Sequence, residues 1–294
     1  MIALPLKWLT NAKFLFDIRG FWADERVDGG IWPINGIVYR VVKRLERYMF
    51  RASDHVVTLT ENSVSKIKSF GYWDGISPEI TVVPTCADLE LFTPPQKPIE
   101  FDPFIFGYVG SFGTWYMIKE TMALFSAILE LCPDARMIII NQNEHELIRE
   151  SISKVGLPPD RIEIIKSRYE NVASHIKKMH AASALIKPCF SKVASSPTKL
   201  AEYLGCGVPC IGNVNIGDME KILEEEEVGV ILHDFDTDSL YQAAKKIISI
   251  SKISSVRLKC REIAISRFSL DKGVESYRLI YKKLLKPDNE KRLV

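Results

Sequence analysis

The chain has 294 residues, enough for one large domain or two modest ones. An apolar share of 47% and a charged share of 26% are those of a soluble globular chain, and a net charge of +2 excludes a bulk nucleic-acid binder. No apolar run is long enough to cross a bilayer, residues 1–20 lack the layout of a signal peptide, and the six cysteines form neither a CxxC pair nor a zinc-spaced cluster, so a cytoplasmic protein with reduced thiols and no metal is expected.

In chain order, residues 14–18 read as a strand and 37–51 as a helix with Val38, Val41, Val42, Leu45, Tyr48 and Met49 on one face. Residues 55–59 and 80–83 are two more short strands, too few to close an independent doubly wound sheet. The proline-rich stretch 93–103 reads as a linker. Short, almost continuous apolar runs then follow at 105–109, 137–140, 162–165, 184–186, 208–211 and 228–232, as expected of strands buried on both faces of a parallel sheet. Helical patterns lie between them at 114–131, 144–155, 169–180, 197–204 and 236–250. This alternation predicts a doubly wound α/β domain.

Two motifs carry chemistry. In the first, Ser196 is a good N-cap and Pro197 suits the first helical position, which puts Lys199 in the first turn of a helix. A cation is disfavoured there unless an anion docks at the same end. Free backbone N–H groups, the Thr198 hydroxyl and the Lys199 ammonium together make a phosphate site. Glu202, one turn beyond Thr198, is placed to accept hydrogen bonds from a ribose diol. The plain alternative is a solvated glutamate and an incidental lysine. In the second motif, Gly107 to Thr114 follows a buried strand and opens a helix, with Gly110, Ser111 and Phe112 at the turn. It is neither GxGxxG nor a P-loop, so dinucleotide and ATP readings lack support. Its weight comes from the pairing, since both helices should open at the carboxyl edge of one sheet.

At these residues the chain resembles family 4 of the retaining GT-B glycosyltransferases. Residues 54–60 (DHVVTLT), 82–88 (VVPTCAD) with Phe92, 108–111 (YVGS) and 196–209 (SPTKLAEYLGCGVP) resemble that family's motifs in the same order. The resemblance implies a partial N-terminal acceptor-side domain at 1–92, a linker at 93–103, a nucleotide-sugar-binding domain at 104–269, and a C-terminal helix at 270–294 crossing back to the first domain. It implies that Gly110 and Ser111 meet the diphosphate through backbone amides, with Phe112 beside them. Ser196, Pro197, Thr198 and Lys199 would hold phosphate oxygens, and Glu202 the ribose. Arg168, in the stretch 166–168, lies where the base is usually read. The nucleotide-sugar would be a substrate, with no metal or other cofactor required.

Departures from the pattern matter as well. Ala194 stands where many relatives carry a glutamate facing the donor sugar, and Ser111 replaces a usual arginine, with Lys119 the nearest cation. The first strands and the acceptor-side glycine loop of a full N-terminal domain are expected to be absent. Asp17 and Arg19 fall where relatives place a catalytic residue at a strand end; a simple salt bridge there is the equal alternative. Arg40, Lys43, Arg44, Arg47 and Arg51 share a helix face, which reads first as a solvated face and second as a contact with an anionic membrane.

The resulting expectation is a glycosyltransferase transferring sugar with retention to a saccharide or lipid-linked acceptor in cell-surface polysaccharide synthesis. The alternative is a donor-binding module that needs a partner chain or self-association. A nucleotide-sugar epimerase ranks below both, because His175 and His180 lack matching acids.

Overall fold

The computed structural model describes residues 2–75 and 77–285. In chain order the elements are α1 (Ala3–Thr10), β1 (Leu15–Ile18), α2 (Trp22–Asp28), α3 (Ile37–Ala52), β2 (His55–Thr58), α4 (Glu61–Ser69) and β3 (Glu79–Val82). Then follow β4 (Ile105–Val109), α5 (Ile118–Leu131), β5 (Arg136–Ile140), α6 (His145–Val155), β6 (Ile162–Ile165), α7 (Tyr169–Ile176) and β7 (Ala181–Ser183). The last are α8 (Thr198–Gly205), β8 (Cys210–Asn213), β9 (Gly229–Leu232), α9 (Thr237–Ser251), α10 (Val256–Phe268) and α11 (Leu270–Leu285). Local chemistry sets several ends. The Thr60 hydroxyl accepts from the Ser63 amide at 3.1 Å to cap α4, Asp236 accepts from the Ser239 amide at 2.9 Å to cap α9, and Gly156 closes α6 at φ 74°.

The chain divides into two compact units. Unit 1 comprises residues 1–84, 189–196 and 271–294, and unit 2 comprises 85–188 and 197–270. Unit 1 holds a three-stranded parallel sheet in the order β1-β2-β3. Ile18, Phe21, Phe50, Val56, Ile67 and Ala194 form one core cluster, and Ile280 and Leu284 of α11 pack with Val57 and Val83 in another. Unit 2 holds a six-stranded parallel sheet in the order β6-β5-β4-β7-β8-β9. The chain winds from β4 out to β6, returns, and winds from β7 out to β9, so the winding reverses between β4 and β7. Alternation along β5 sends Met137 and Ile139 into one core layer and Ile138 and Ile140 into the other, so both faces are covered.

Several expectations are corrected. The expected strand at 184–186 is in fact β7, three residues earlier. Ala181, Ala182 and Ser183 pair with Phe106, Gly107 and Tyr108 of β4, and small residues give too weak an apolar signal to read. Residues 93–103 do not stand apart as a linker, because the whole stretch from 85 belongs to unit 2. Phe92 is fully buried there, and the His180 ring donates to the Glu100 carbonyl at 2.8 Å and accepts from the Ile105 amide at 2.9 Å. Residues 189–196, expected inside the donor domain, pack in unit 1. Phe190 stacks on Phe21 at 5.5 Å, Lys192 pairs with Glu25 at 2.7 Å, and the Thr60 hydroxyl donates to the Val193 carbonyl at 2.8 Å. The C-terminal helix expected over 270–294 is described to Leu285, and residues 286–294 lie outside the described residues.

Candidate donor site at the sheet switch point

Ligands of open parallel sheets bind at the carboxyl ends of the strands where the winding reverses. In unit 2 that point lies between Val109, the last residue of β4, and Ser183, the last of β7. Tyr203 of α8 joins the two ends. Its hydroxyl accepts from the Val109 amide at 2.8 Å and donates to the Ser183 carbonyl at 3.3 Å, and its ring is fully buried. The phosphate helix expected from sequence is thus pinned to the switch point by its own side chain. Tyr203→Phe leaves a buried donor and acceptor unsatisfied, so it should cost about 1–3 kcal/mol. Chemical denaturation would check this; an unchanged midpoint would mean the hydroxyl positions nothing.

Gly110 follows β4 with φ 130°, a conformation that favours glycine. A Cβ there would stand 3.0 Å from Lys199 Nζ, so the loop backbone and the lysine head approach closely. Lys199 is only 7% exposed, and its Nζ has no hydrogen-bond partner among the described residues. The ammonium sits 3.9 Å from the Tyr116 ring centroid and 4.4 Å from that of Tyr108. Burial pushes its pKa down to about 7, against the pull of Glu202. Glu202 is 8% exposed and is itself pushed up to about 7 by burial, opposed by Lys199. Both groups are therefore poised toward neutrality. A buried ammonium facing a glycine turn at a helix N-terminus is satisfied by an anion.

The other expected site residues fare unevenly. Thr198 begins α8 and is exposed. Pro197, not Ser196, is the N-cap, and no side chain caps the helix, which leaves its first amides open. Ser196 is the last residue of the preceding unit 1 segment. The Gly110 amide is not available to a ligand, since it donates to the Ile140 carbonyl at 3.0 Å. The Phe112 amide donates to Glu144 at 3.0 Å and its ring is buried against Tyr108, so Phe112 is a core residue rather than a contact. Ser111 is exposed in the turn between them. Arg168 is an exposed residue after β6, the edge strand of the sheet. Asp17 and Arg19 belong to unit 1 and line a cavity of about 550 Å³ with Phe16, Trp22, Leu45 and Met49. The Tyr277 hydroxyl donates to Asp17 at 2.7 Å, and no salt bridge joins Asp17 to Arg19 among the described residues.

Two residues of this region escaped the sequence reading. Asn141 donates to the Gly110 carbonyl at 2.9 Å and to Glu144 at 2.6 Å, while Glu144 receives the Phe112 amide. Together they shape the glycine turn and border a cleft of about 190 Å³ with Gly110 and Ser111. The available signal was a polar run, Asn-Gln-Asn-Glu, directly after a strand of isoleucines. Among the described residues no group of three or more His, Cys, Asp or Glu could hold a metal ion. His180 is taken up by backbone contacts and burial pushes it down to about 4, which removes it from acid–base chemistry near neutrality.

A six-stranded doubly wound sheet with a glycine turn and a helix N-terminus at its switch point is the arrangement in which nucleotides bind to open parallel sheets. Residues 92–288 match the family described as glycosyl transferases group 1, and the chain belongs to that family. Among solved structures it is similar to sucrose-phosphate synthase from Thermosynechococcus elongatus, with a TM-score of 0.75 and 16% identity over 96% of this chain and 70% of that one. It is also similar to Anabaena HepE in complex with UDP (TM-score 0.72, 14% identity, 96% of this chain and 75% of that one). A glycosyltransferase from Rickettsia africae gives a TM-score of 0.70 and 17% identity over 97% of this chain and 74% of that one. The chain spans 47% of the length of the pneumococcal O-GlcNAc transferase GtfA, another similar structure. These likenesses show a GT-B fold. No sequence among curated proteins matches the chain.

Proposed function

We propose that unit 2 binds a nucleotide-diphosphate sugar and that the protein transfers the sugar, with retention, to a hydroxyl of a saccharide or lipid-linked acceptor in cell-surface polysaccharide synthesis. The observation that carries the donor site is the buried, unpartnered Lys199 ammonium beside the Gly110 turn and the uncapped start of α8. The diphosphate supplies the missing anion. Glu202, one turn along the same helix, accepts from the ribose diol. In the reaction the bond from sugar C1 to the diphosphate oxygen breaks, and the acceptor oxygen bonds to C1 on the same face. Its proton passes to the departing phosphate, while Lys199 and the helix N-terminus stabilise the charge that develops there. The glycosyl transferases group 1 family and the UDP held by the similar HepE structure support the nucleotide-sugar donor. Retention, acceptor class and pathway rest on the motif resemblance.

Titration of the folded chain with UDP, GDP and their sugars tests the reading. One base should bind with micromolar affinity and release heat. If no nucleotide binds, the motif is scaffold and the donor reading falls.

A second reading is a donor-binding module that needs further polypeptide for transfer. The observation favouring it is that, among the described residues, β1 is an edge strand with a neighbour on one side only, in a sheet of three strands. Transfer by this chain without any partner would reject it.

A further inference from the structure

A charge-assisted hydrogen bond brings donor and acceptor to about 2.7–2.9 Å, so an anion must touch the Lys199 ammonium to be held by it. That ammonium is sealed from solvent and has no hydrogen-bond partner among the described residues. Three groups of unit 2 enclose it. The Gly110 backbone comes so near that a Cβ there would stand 3.0 Å from Nζ. The rings of Tyr116 and Tyr108 present their faces, with centroids 3.9 and 4.4 Å away. One of these three must give way before a phosphate oxygen can arrive.

Two of them are held. The Gly110 amide donates to the Ile140 carbonyl at 3.0 Å, and its carbonyl accepts from Asn141 at 2.9 Å. Tyr108 is fully buried in β4, and its hydroxyl donates to the Ser111 carbonyl at 2.6 Å. Tyr116 is only half-buried. Its backbone is fixed by a bridge to Ile186, and beside it the Lys187 amide donates to the Trp115 carbonyl at 2.8 Å. The Tyr116 side chain can therefore turn between staggered positions while the loop that carries it stays in place, a fast motion for a ring near solvent.

A tyrosine face attracts an ammonium without neutralising it. It keeps the charge available to a phosphate and competes with that phosphate for the same atom. We propose that Tyr116 is a swinging cover over the Lys199 anion site, displaced by the donor diphosphate, and that it sets how fast and how tightly a nucleotide binds. This rests on Lys199 being the phosphate ligand of the donor site. A nucleotide then binds only those molecules whose ring has turned aside, and its apparent affinity is reduced by that fraction. Tyr116 is thus a positioning residue, which acts on the donor through Lys199.

Reductive methylation of the full chain with formaldehyde and cyanoborohydride, read by peptide mass spectrometry, tests the cover without any nucleotide. Lys199 should react far more slowly than exposed Lys154. Tyr116→Ala should make it reactive, while lysines elsewhere label as in the wild type and so show the variant folded. Tyr116→Phe, which keeps the ring, should leave Lys199 protected. Stopped-flow titration with UDP and GDP then tests the competition. The nucleotide that binds should bind Tyr116→Ala about 3- to 30-fold more tightly, through faster association, as the loss of one desolvated cation–π contact predicts. It should also protect Lys199 from methylation in that variant. Wild-type Lys199 that reacts as readily as Lys154, or Tyr116→Ala that binds nucleotide no faster and no tighter, overturns the proposal. A nucleotide that binds neither protein overturns the donor reading and this one with it, whereas a failed cover shows in the methylation alone.

Discussion

Lys199→Ala should weaken nucleotide-diphosphate binding by about 30- to 100-fold while making the unliganded protein more stable. The two effects have one cause. Without ligand the ammonium is buried against two tyrosine rings, with no hydrogen-bond partner among the described residues. Removing it relieves a desolvation penalty on the order of 1–3 kcal/mol. With a diphosphate bound, the same group makes charge-assisted hydrogen bonds worth about 1.5–3 kcal/mol, and their loss appears in the dissociation constant. Turnover should fall further, by roughly 100- to 1000-fold, because charge on the leaving diphosphate grows in the transition state. Calorimetric titration and a thermal melt without ligand measure both halves. A variant that loses affinity and also melts lower would mean that Lys199 holds the fold, and the anion-site reading would be wrong.

Donor affinity should pass through a maximum near neutral pH, and unliganded stability through a minimum there. Lys199 has its pKa lowered from 10.5 to about 7, so between those values the unfolded chain holds a proton that the folded chain lacks. Stability therefore rises with pH across that window. Glu202 has its pKa raised from 4.5 to about 7, so across that lower window the folded chain holds the extra proton and stability falls as pH rises. Binding runs the opposite way. Above pH 7 the lysine must take up a proton to meet the diphosphate, and affinity drops by up to about tenfold per pH unit. Below pH 7 the glutamate must lose one to accept fully from the ribose. Titrating a nucleotide-sugar avoids the second ionisation of a free nucleotide diphosphate. Glu202→Gln should flatten the acid limb and leave the alkaline limb in place. A flat profile in the wild-type chain would show that Lys199 is charged throughout and that burial does not tune it.

The architecture of unit 2 was legible because β4, β5 and β6 are short, mostly apolar runs separated by helical patterns, as a sheet covered on both faces requires. β7 was misplaced because Ala-Ala-Ser carries little apolar signal, although its small side chains suit a strand flanked by β4 and β8. The short helices α1, α2 and α4 went unread because seven to nine residues give too few turns for a period to show. At the site, the positions of Lys199 and Glu202 in the first turns of α8 and of Gly110 at the turn after β4 could be read from helix-end chemistry. Which amides a glycine turn leaves open could not, because that depends on Ile140 and Glu144, far along the chain. Tyr108, Tyr116 and Tyr203 were given no role in the sequence. Their role, boxing the lysine and tying α8 to two strand ends, exists only once the sheet has formed.

The segment 189–196 has a consequence for biosynthesis. It makes the polypeptide pass between the units at residues 84–85, 188–189, 196–197 and 270–271, so neither unit is one continuous stretch of chain. On the ribosome, unit 1 cannot be finished first: Ala194 of its core, and Ile280 and Leu284 that seal Val57 and Val83, emerge late. Its early strands must wait, unsealed, while all of unit 2 is translated. Newly made chains thus depend on a helix translated after the whole of unit 2, and termination before α11 should yield a product with a formed unit 2 and an incomplete unit 1.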